Sequence, residues 1–245
     1  MDDLVAMGFD SEKVQRVWDA CGGNQERAVE MLLLLGSGPM EDAPAAGSSQ
    51  SSELIQTDIS QYSVESGRSA CTCIALTGAN LYLQNPAISS DLLRNMVMQG
   101  VDTYQRISQS ESGIDHMSAE EVLNQNAFPL QVIGGVRQGV LSYDSDYPLG
   151  LKALLGACQA EGARVVLITK TPETVVVCLD QFALLDSHPR PPMASNAYAK
   201  THGSLEDLVQ TLQSIFPPTE LGSDVPEMMA MMYNSFDLYP LAIQS

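Results

Sequence analysis

A thiol becomes a nucleophile when its thiolate is favoured and a base stands beside it. The chain has five cysteines and three histidines, and two short segments could bring such a pair together. The first runs Gln61-Tyr62-Ser63-Val64-Glu65-Ser66-Gly67-Arg68-Ser69-Ala70-Cys71 and continues Thr72-Cys73-Ile74-Ala75-Leu76. A polar, glycine-containing loop leads into an apolar run of helical character, which puts Cys71 at or near a helix N-terminus. There the macrodipole and unpaired N–H groups favour a thiolate. The second segment is Leu184-Leu185-Asp186-Ser187-His188-Pro189. Residues i and i+2 of a strand share a face. The Asp186 carboxylate can therefore hold one ring nitrogen of His188 and leave the other for a thiol. Pro189, Pro191 and Pro192 then end the strand. Acyl transfer also needs a donor for its oxyanion, and Gln61 is the natural candidate.

Other assignments compete. Cys73, next but one to Cys71, is a second candidate nucleophile. His202, in Lys200-Thr201-His202-Gly203, is a second candidate base, and Asp180 a second orienting acid. His116 follows Asp115 in a Ser/Gly-rich loop and reads as solvated. Cys158 and Cys178 lie in apolar patterns and read as inert core residues. The Cys-x-Cys pair has no further ligands at metal-binding spacing, so neither a metal nor another cofactor is expected.

The whole composition narrows the field. Of 245 residues, 12 are Lys or Arg and 30 are Asp or Glu, a formal charge of −18. Such a chain repels a phosphate backbone and an anionic membrane surface, so neither nucleic acid nor membrane is an expected partner. Hydrophobic residues make up 44%, enough for a packed core. No apolar run approaches the roughly 18 residues of a spanning helix. Met1-Asp2-Asp3 lacks the basic start of a secretory signal. The cysteines are odd in number with no paired spacing, which predicts free thiols in the cytoplasm or nucleus.

The elements that must position these residues fall into four stretches. Residues 1–36 read as three short helices. Gly8 breaks the first, and Asp10 or Ser11 caps the second, whose buried face is Val14, Val17, Trp18 and Cys21. Gly22-Gly23 ends it, and Asn24 caps a third helix with Ala28, Met31, Leu32 and Leu35 on its apolar face. Residues 37–57 are rich in Gly, Ser, Pro and Ala, the composition of a flexible linker. Residues 58–218 form the main domain. Helices are predicted over Ser89–Ile107, after the Ser118/Glu121 capping box, over Leu149–Ala160 and over Ser204–Ile215. Ala163–Thr169 and Thr174–Leu179 read as a hairpin around Lys170-Thr171-Pro172-Glu173, with Phe182–Asp186 as another strand. Helices first and an antiparallel sheet later make the class α+β. Residues 219–245 are a tail rich in methionine, which could dock on a partner or fold back.

Met7-Gly8-Phe9, then Cys21-Gly22-Gly23-Asn24, Ala28-Val29 and Leu32-Leu33, resemble a ubiquitin-associated (UBA) domain over roughly residues 1–35. So small a domain cannot hide every apolar side chain, and an exposed apolar patch is usually a binding site. The resemblance implies that Met7, Gly8, Phe9, Leu32 and Leu33 form a surface for the hydrophobic face of ubiquitin.

Gln61-Tyr62 before Cys71, with Asp186-x-His188 on a late strand, resembles the herpesvirus tegument-type deubiquitinases and their viral tegument-like relatives, over roughly residues 58–215. The resemblance implies a papain-like cysteine peptidase that cleaves after the C-terminal glycine of ubiquitin. Gln61 would be the oxyanion residue, Cys71 the nucleophile, His188 the base and Asp186 the orienting acid. The small residue four places after the nucleophile in that pattern, with an apolar one next, fits Cys71 with Ala75-Leu76. The expectation is thus a papain-like domain preceded by a three-helix UBA bundle, acting on ubiquitin, its chains and ubiquitinated proteins. Two other readings stay open: a non-catalytic ubiquitin receptor with a papain-like shell, and a protease for another ubiquitin-like modifier.

Overall fold

The computed structural model describes residues 52–110, 117–144, 146–222 and 224–244. The predicted three-helix bundle, with Met7, Gly8, Phe9, Trp18, Leu32 and Leu33, lies outside the described residues, as does His116.

Eight strands form one sheet: β1 Leu54–Gln56, β2 Leu130–Val132, β3 Arg137–Val140, β4 Val165–Lys170, β5 Glu173–Cys178, β6 Ala183–Asp186, β7 Tyr198–Thr201 and β8 Ser235–Ile243. Their order is β1-β7-β6-β5-β4-β8-β2, and β3 pairs the other stretch of β8. Every pairing is antiparallel. Six helices accompany it among the described residues: α1 Cys71–Gln84, α2 Ser90–Ser110, α3 Ala119–Asn124, α4 Leu151–Ala160, α5 Leu205–Ile215 and α6 Glu227–Tyr233. The class is mixed helix and antiparallel sheet, as the periods predict.

The central strands read as unbroken apolar runs because the sheet is covered on both faces. Val165, Leu167, Val176, Cys178 and Leu185 join the core built with α1, α2 and α3. Val166, Ile168, Val175, Val177 and Leu184 face the opposite core, with Leu155 of α4 and Leu208 and Leu212 of α5. Each such side chain fully buried contributes roughly 2 kcal/mol. The predicted hairpin forms with Lys170 opposite Glu173, and the Ser118/Glu121 capping box closes the start of α3.

Two boundaries move. The linker does not run to residue 57: Leu54–Gln56 adds to the sheet edge against Tyr198–Lys200. Three residues among polar neighbours carry too short a pattern to announce a strand. The main domain does not stop at 218 either. Residues 235–243 fold back as β8, which lies between β4 and the β2/β3 pair. The preceding α6 keeps Met228 and Met232 exposed.

Helix α1 is buried along most of its length and packs closely on α2. A Cβ on Gly100 would stand 2.4 Å from the Ile74 Cα, so only glycine lets the two backbones approach this far. That contact fixes the first turn of α1, where Cys71 begins the helix.

Candidate active site

Cys71 is the first residue of α1. The N-cap position is Ala70, which offers no side-chain cap, and the first turn carries no acidic residue. The helix start therefore has no side-chain cap or first-turn carboxylate competing for its N–H groups. Asp186 ends β6, and His188 follows it past the strand.

The Asp186 and His188 side chains meet. His188 Nδ1 is 2.6 Å from Asp186 Oδ1, and the His188 backbone N–H donates to the same oxygen at 2.9 Å. Nδ1 is thereby committed, leaving Nε2 as the ring nitrogen that can serve a thiol. The Cys71 thiol lies close enough to the His188 side chain to contribute to raising its pKa. Sulfur and imidazole, distant along the chain, are thus neighbours at the junction of α1 and the β6 end. Burial works against the His188 imidazolium, but the Asp186 carboxylate, the Cys71 contact and the Glu173 charge outweigh it and push its pKa up to about 9. Burial also opposes charge on Asp186. The hydrogen bonds and charges of His188 and Arg190 nevertheless hold its carboxyl below the usual range.

Gln61 opens a single 3₁₀ turn, Gln61–Ser63. Its backbone N–H donates to the Ser187 carbonyl at 3.1 Å, and the Ser187 hydroxyl donates to its Oε1 at 2.7 Å. This ties Gln61 to Ser187, the residue between Asp186 and His188, and engages only the oxygen of its amide. Gly67 permits the turn, since a Cβ there would stand 2.0 Å from the Gln61 carbonyl oxygen.

The rival residues sit elsewhere or are unsuited. Burial, with a smaller contribution from Cys71, pushes the Cys73 thiol up to about 12. Burial likewise raises Cys158 and Cys178. Both ring nitrogens of His202 are taken, Nδ1 by the Phe182 carbonyl at 2.9 Å and Nε2 by Thr211 Oγ1 at 2.8 Å. Asp180 accepts from the Tyr82 hydroxyl at 2.5 Å and from Arg164 at 2.9 Å. Among the described residues no cluster of three His, Cys, Asp or Glu side chains is arranged to hold a metal ion.

Sequence reasoning missed the surroundings of this pair. Arg190 Nε donates to Asp186 Oδ2 at 2.8 Å, and its Nη2 donates to Glu173 Oε2 at 2.6 Å. The Tyr198 hydroxyl lies 3.4 Å from Asp186 Oδ2, and the Tyr62 ring meets the His188 ring edge-on, centroids 6.1 Å apart. The sequence carries a signal for Arg190 in the alternation Asp186, His188, Arg190, which Pro189, Pro191 and Pro192 interrupt. The Thr171-Pro172 turn was legible only as a hairpin. It lies against the thiol, with Cys71 Sγ 3.4 Å from the Pro172 carbonyl oxygen, and Cys71 is only 4% exposed.

Among solved structures, the ubiquitin-specific protease encoded by the murine cytomegalovirus tegument protein M48, in complex with a ubiquitin-based suicide substrate, matches with a TM-score of 0.54. This chain shares that protease's fold. The match covers 77% of this chain and 85% of the viral one, at 12% identity, so the likeness is one of fold. No family model matches the chain, and no curated protein does.

Proposed function

We propose that the chain is a deubiquitinating cysteine peptidase of papain-like fold, hydrolysing the bond after the C-terminal glycine of ubiquitin. The observation that carries this is the Cys71–His188–Asp186 chain of contacts within a fold shared with a ubiquitin-specific protease. Cys71, its proton passed to His188, attacks the glycine carbonyl carbon and forms the tetrahedral adduct. His188 gives its proton to the departing lysine amine as the C–N bond breaks, leaving a thioester on Cys71. Water, deprotonated by His188, then releases the ubiquitin carboxylate and restores the thiol. Gln61 Nε2 and the Cys71 backbone N–H hold the oxyanion, about 3 kcal/mol per donor. The charge of −18 suits the arginine-bearing tail of ubiquitin.

Residues 1–36 are the proposed UBA module, with Met7, Gly8, Phe9, Leu32 and Leu33 as its ubiquitin surface. Tethered to the catalytic domain, it adds a second contact at an effective concentration near the millimolar range. Work in the cytoplasm or nucleus belongs to the same proposal. The covered thiol favours one other reading, a ubiquitin receptor without activity.

A fluorogenic amide on the ubiquitin C-terminus separates the two. Cleavage that disappears in Cys71→Ala supports the peptidase. Tight binding of ubiquitin chains with no cleavage by the wild-type chain supports the receptor. Deleting residues 1–36 lowers cleavage of chains more than cleavage of the fluorogenic amide, and equal losses contradict the tethering role.

A further inference from the structure

The Cys71 sulfur lies near two groups, the Pro172 carbonyl and the His188 imidazole, that favour different protonation states of it. The Pro172 carbonyl, 3.4 Å away, is an acceptor only and bonds a protonated thiol. The His188 imidazolium is a donor and pairs with a thiolate. The same carbonyl lies against the sulfur, and Cys71 and His188 are only 4% and 2% exposed. The turn over the thiol is therefore a closed strap.

The strap is tied at several points. Lys170 Nζ donates to the Tyr233 carbonyl, and Thr174 Oγ1 lies 3.4 Å from Thr72 Oγ1 and 3.1 Å from Thr169 Oγ1. The tie that reaches the base is Arg190. One arm of its guanidinium holds Glu173, at the end of the strap, and the other holds Asp186. Both carboxylates are shielded, with side-chain exposures of 28% and 0% against 17% for Arg190. A fork that serves two carboxylates at once is a task for arginine rather than lysine.

We propose that Arg190 is a positioning residue that couples the base to the strap: its Asp186 arm aims the carboxylate at His188, and its Glu173 arm latches the Thr171-Pro172 turn over Cys71. Catalysis then requires the latch to open while the Asp186 arm stays made. The proposal rests on the peptidase reading for its catalytic half, and on the thiol alone for its latch half.

The two arms are cut separately in the full-length chain. Glu173→Gln cuts the latch arm and leaves the Asp186 arm made; it also removes a charge that favours the His188 imidazolium, which disfavours the thiolate, so faster alkylation reports the opened strap. Alkylation of Cys71 by iodoacetamide, followed by mass spectrometry with fragment ions assigned to Cys71, is expected to run about tenfold faster, the scale of one lost charge-assisted bond. Arg190→Met cuts both arms. Its kcat on the fluorogenic ubiquitin amide is expected to fall about 100-fold with KM within about threefold, the signature of a mis-set base. Arg190→Lys is expected to recover only part of that loss, because a lysine returns a cation near the carboxylates but not the fork that holds both. A salt bridge with a merely structural role predicts a lowered melting temperature in these variants with alkylation and kcat within about twofold of wild type, and that result overturns the proposal. So does an Arg190→Lys variant no better than Arg190→Met. If Arg190→Met does not fold, the Glu173→Gln alkylation rate decides. Iodoacetamide needs no ubiquitin, so a wild-type chain that cleaves no ubiquitin substrate refutes the peptidase reading while the alkylation rates still test the latch.

Discussion

Asp186 Oδ1 receives both the ring Nδ1 and the backbone N–H of His188, at 2.6 and 2.9 Å. One carboxylate oxygen thus fixes the tautomer, the ring orientation and the backbone of the residue that faces the thiol. The buried imidazolium contributes most to stability at pH values where the unfolded chain would also carry the proton.

From this follows a pH dependence. The His188 pKa rises from an ordinary 6.5 to about 9 on folding. A raised value means that the folded state binds the proton more tightly, so its contribution to stability is complete below about pH 6.5. It declines as pH rises and is gone above about 9. The stability difference between wild type and His188→Gln, from urea unfolding at a series of pH values, is expected to shrink across that window. A difference that grows with pH contradicts the assignment. The alkaline limb of kcat/KM is expected near pH 9, where the proton for the leaving amine is lost.

Gln61 is held by Ser187 on one side of its amide only, which leaves the Nε2 hydrogens for an oxyanion. Gln61→Ala is expected to lower kcat by about 10² to 10³, the loss of one preorganised donor, with KM within about threefold. An unchanged kcat would remove Gln61 from the mechanism.

The close approach of α1 and α2 at Gly100 and Ile74 leaves no room for a methyl group. Gly100→Ala is expected to cost about 2 kcal/mol, a drop of about 4–8 °C in melting temperature for a chain of this size. Because α1 carries Cys71, kcat is expected to fall as well. A variant with unaltered melting temperature shows that α1 is not pinned there.

Much of this site could be read from local pattern. Cys71 at a helix start needs only a polar loop followed by an apolar helical run; Asp186 and His188 do meet, but not by the strand period, since β6 ends at Asp186 and His188 lies beyond it. The Lys170–Glu173 turn and the Ser118/Glu121 box are likewise written within a few residues. The remainder depends on contacts that no window contains. Strand β8 hides behind an exposed Met-rich helix and carries Pro240, a residue that argues against an interior strand. The chain tolerates it there, opposite Val166, with its carbonyl accepting from the Ile133 N–H at 2.9 Å. Strand β1 is three residues long and exists only because β7 offers an edge. The Arg190 fork joins Glu173 and Asp186, which lie on two different strands, from a position flanked by Pro189 and Pro191-Pro192, which end any periodic pattern. The closed strap has no sequence signature, since a hairpin turn looks the same whether or not a thiol lies beneath it.

The central claim is that the Cys71 sulfur, served by His188, attacks the ubiquitin C-terminus. Ubiquitin carrying a thiol-reactive group at that terminus tests it most directly, with the adduct mapped by mass spectrometry. The account predicts one covalent ubiquitin on Cys71, absent in Cys71→Ala, retained in Cys73→Ala and strongly slowed in His188→Gln. An adduct on Cys73, or none on a folded wild-type chain, contradicts it.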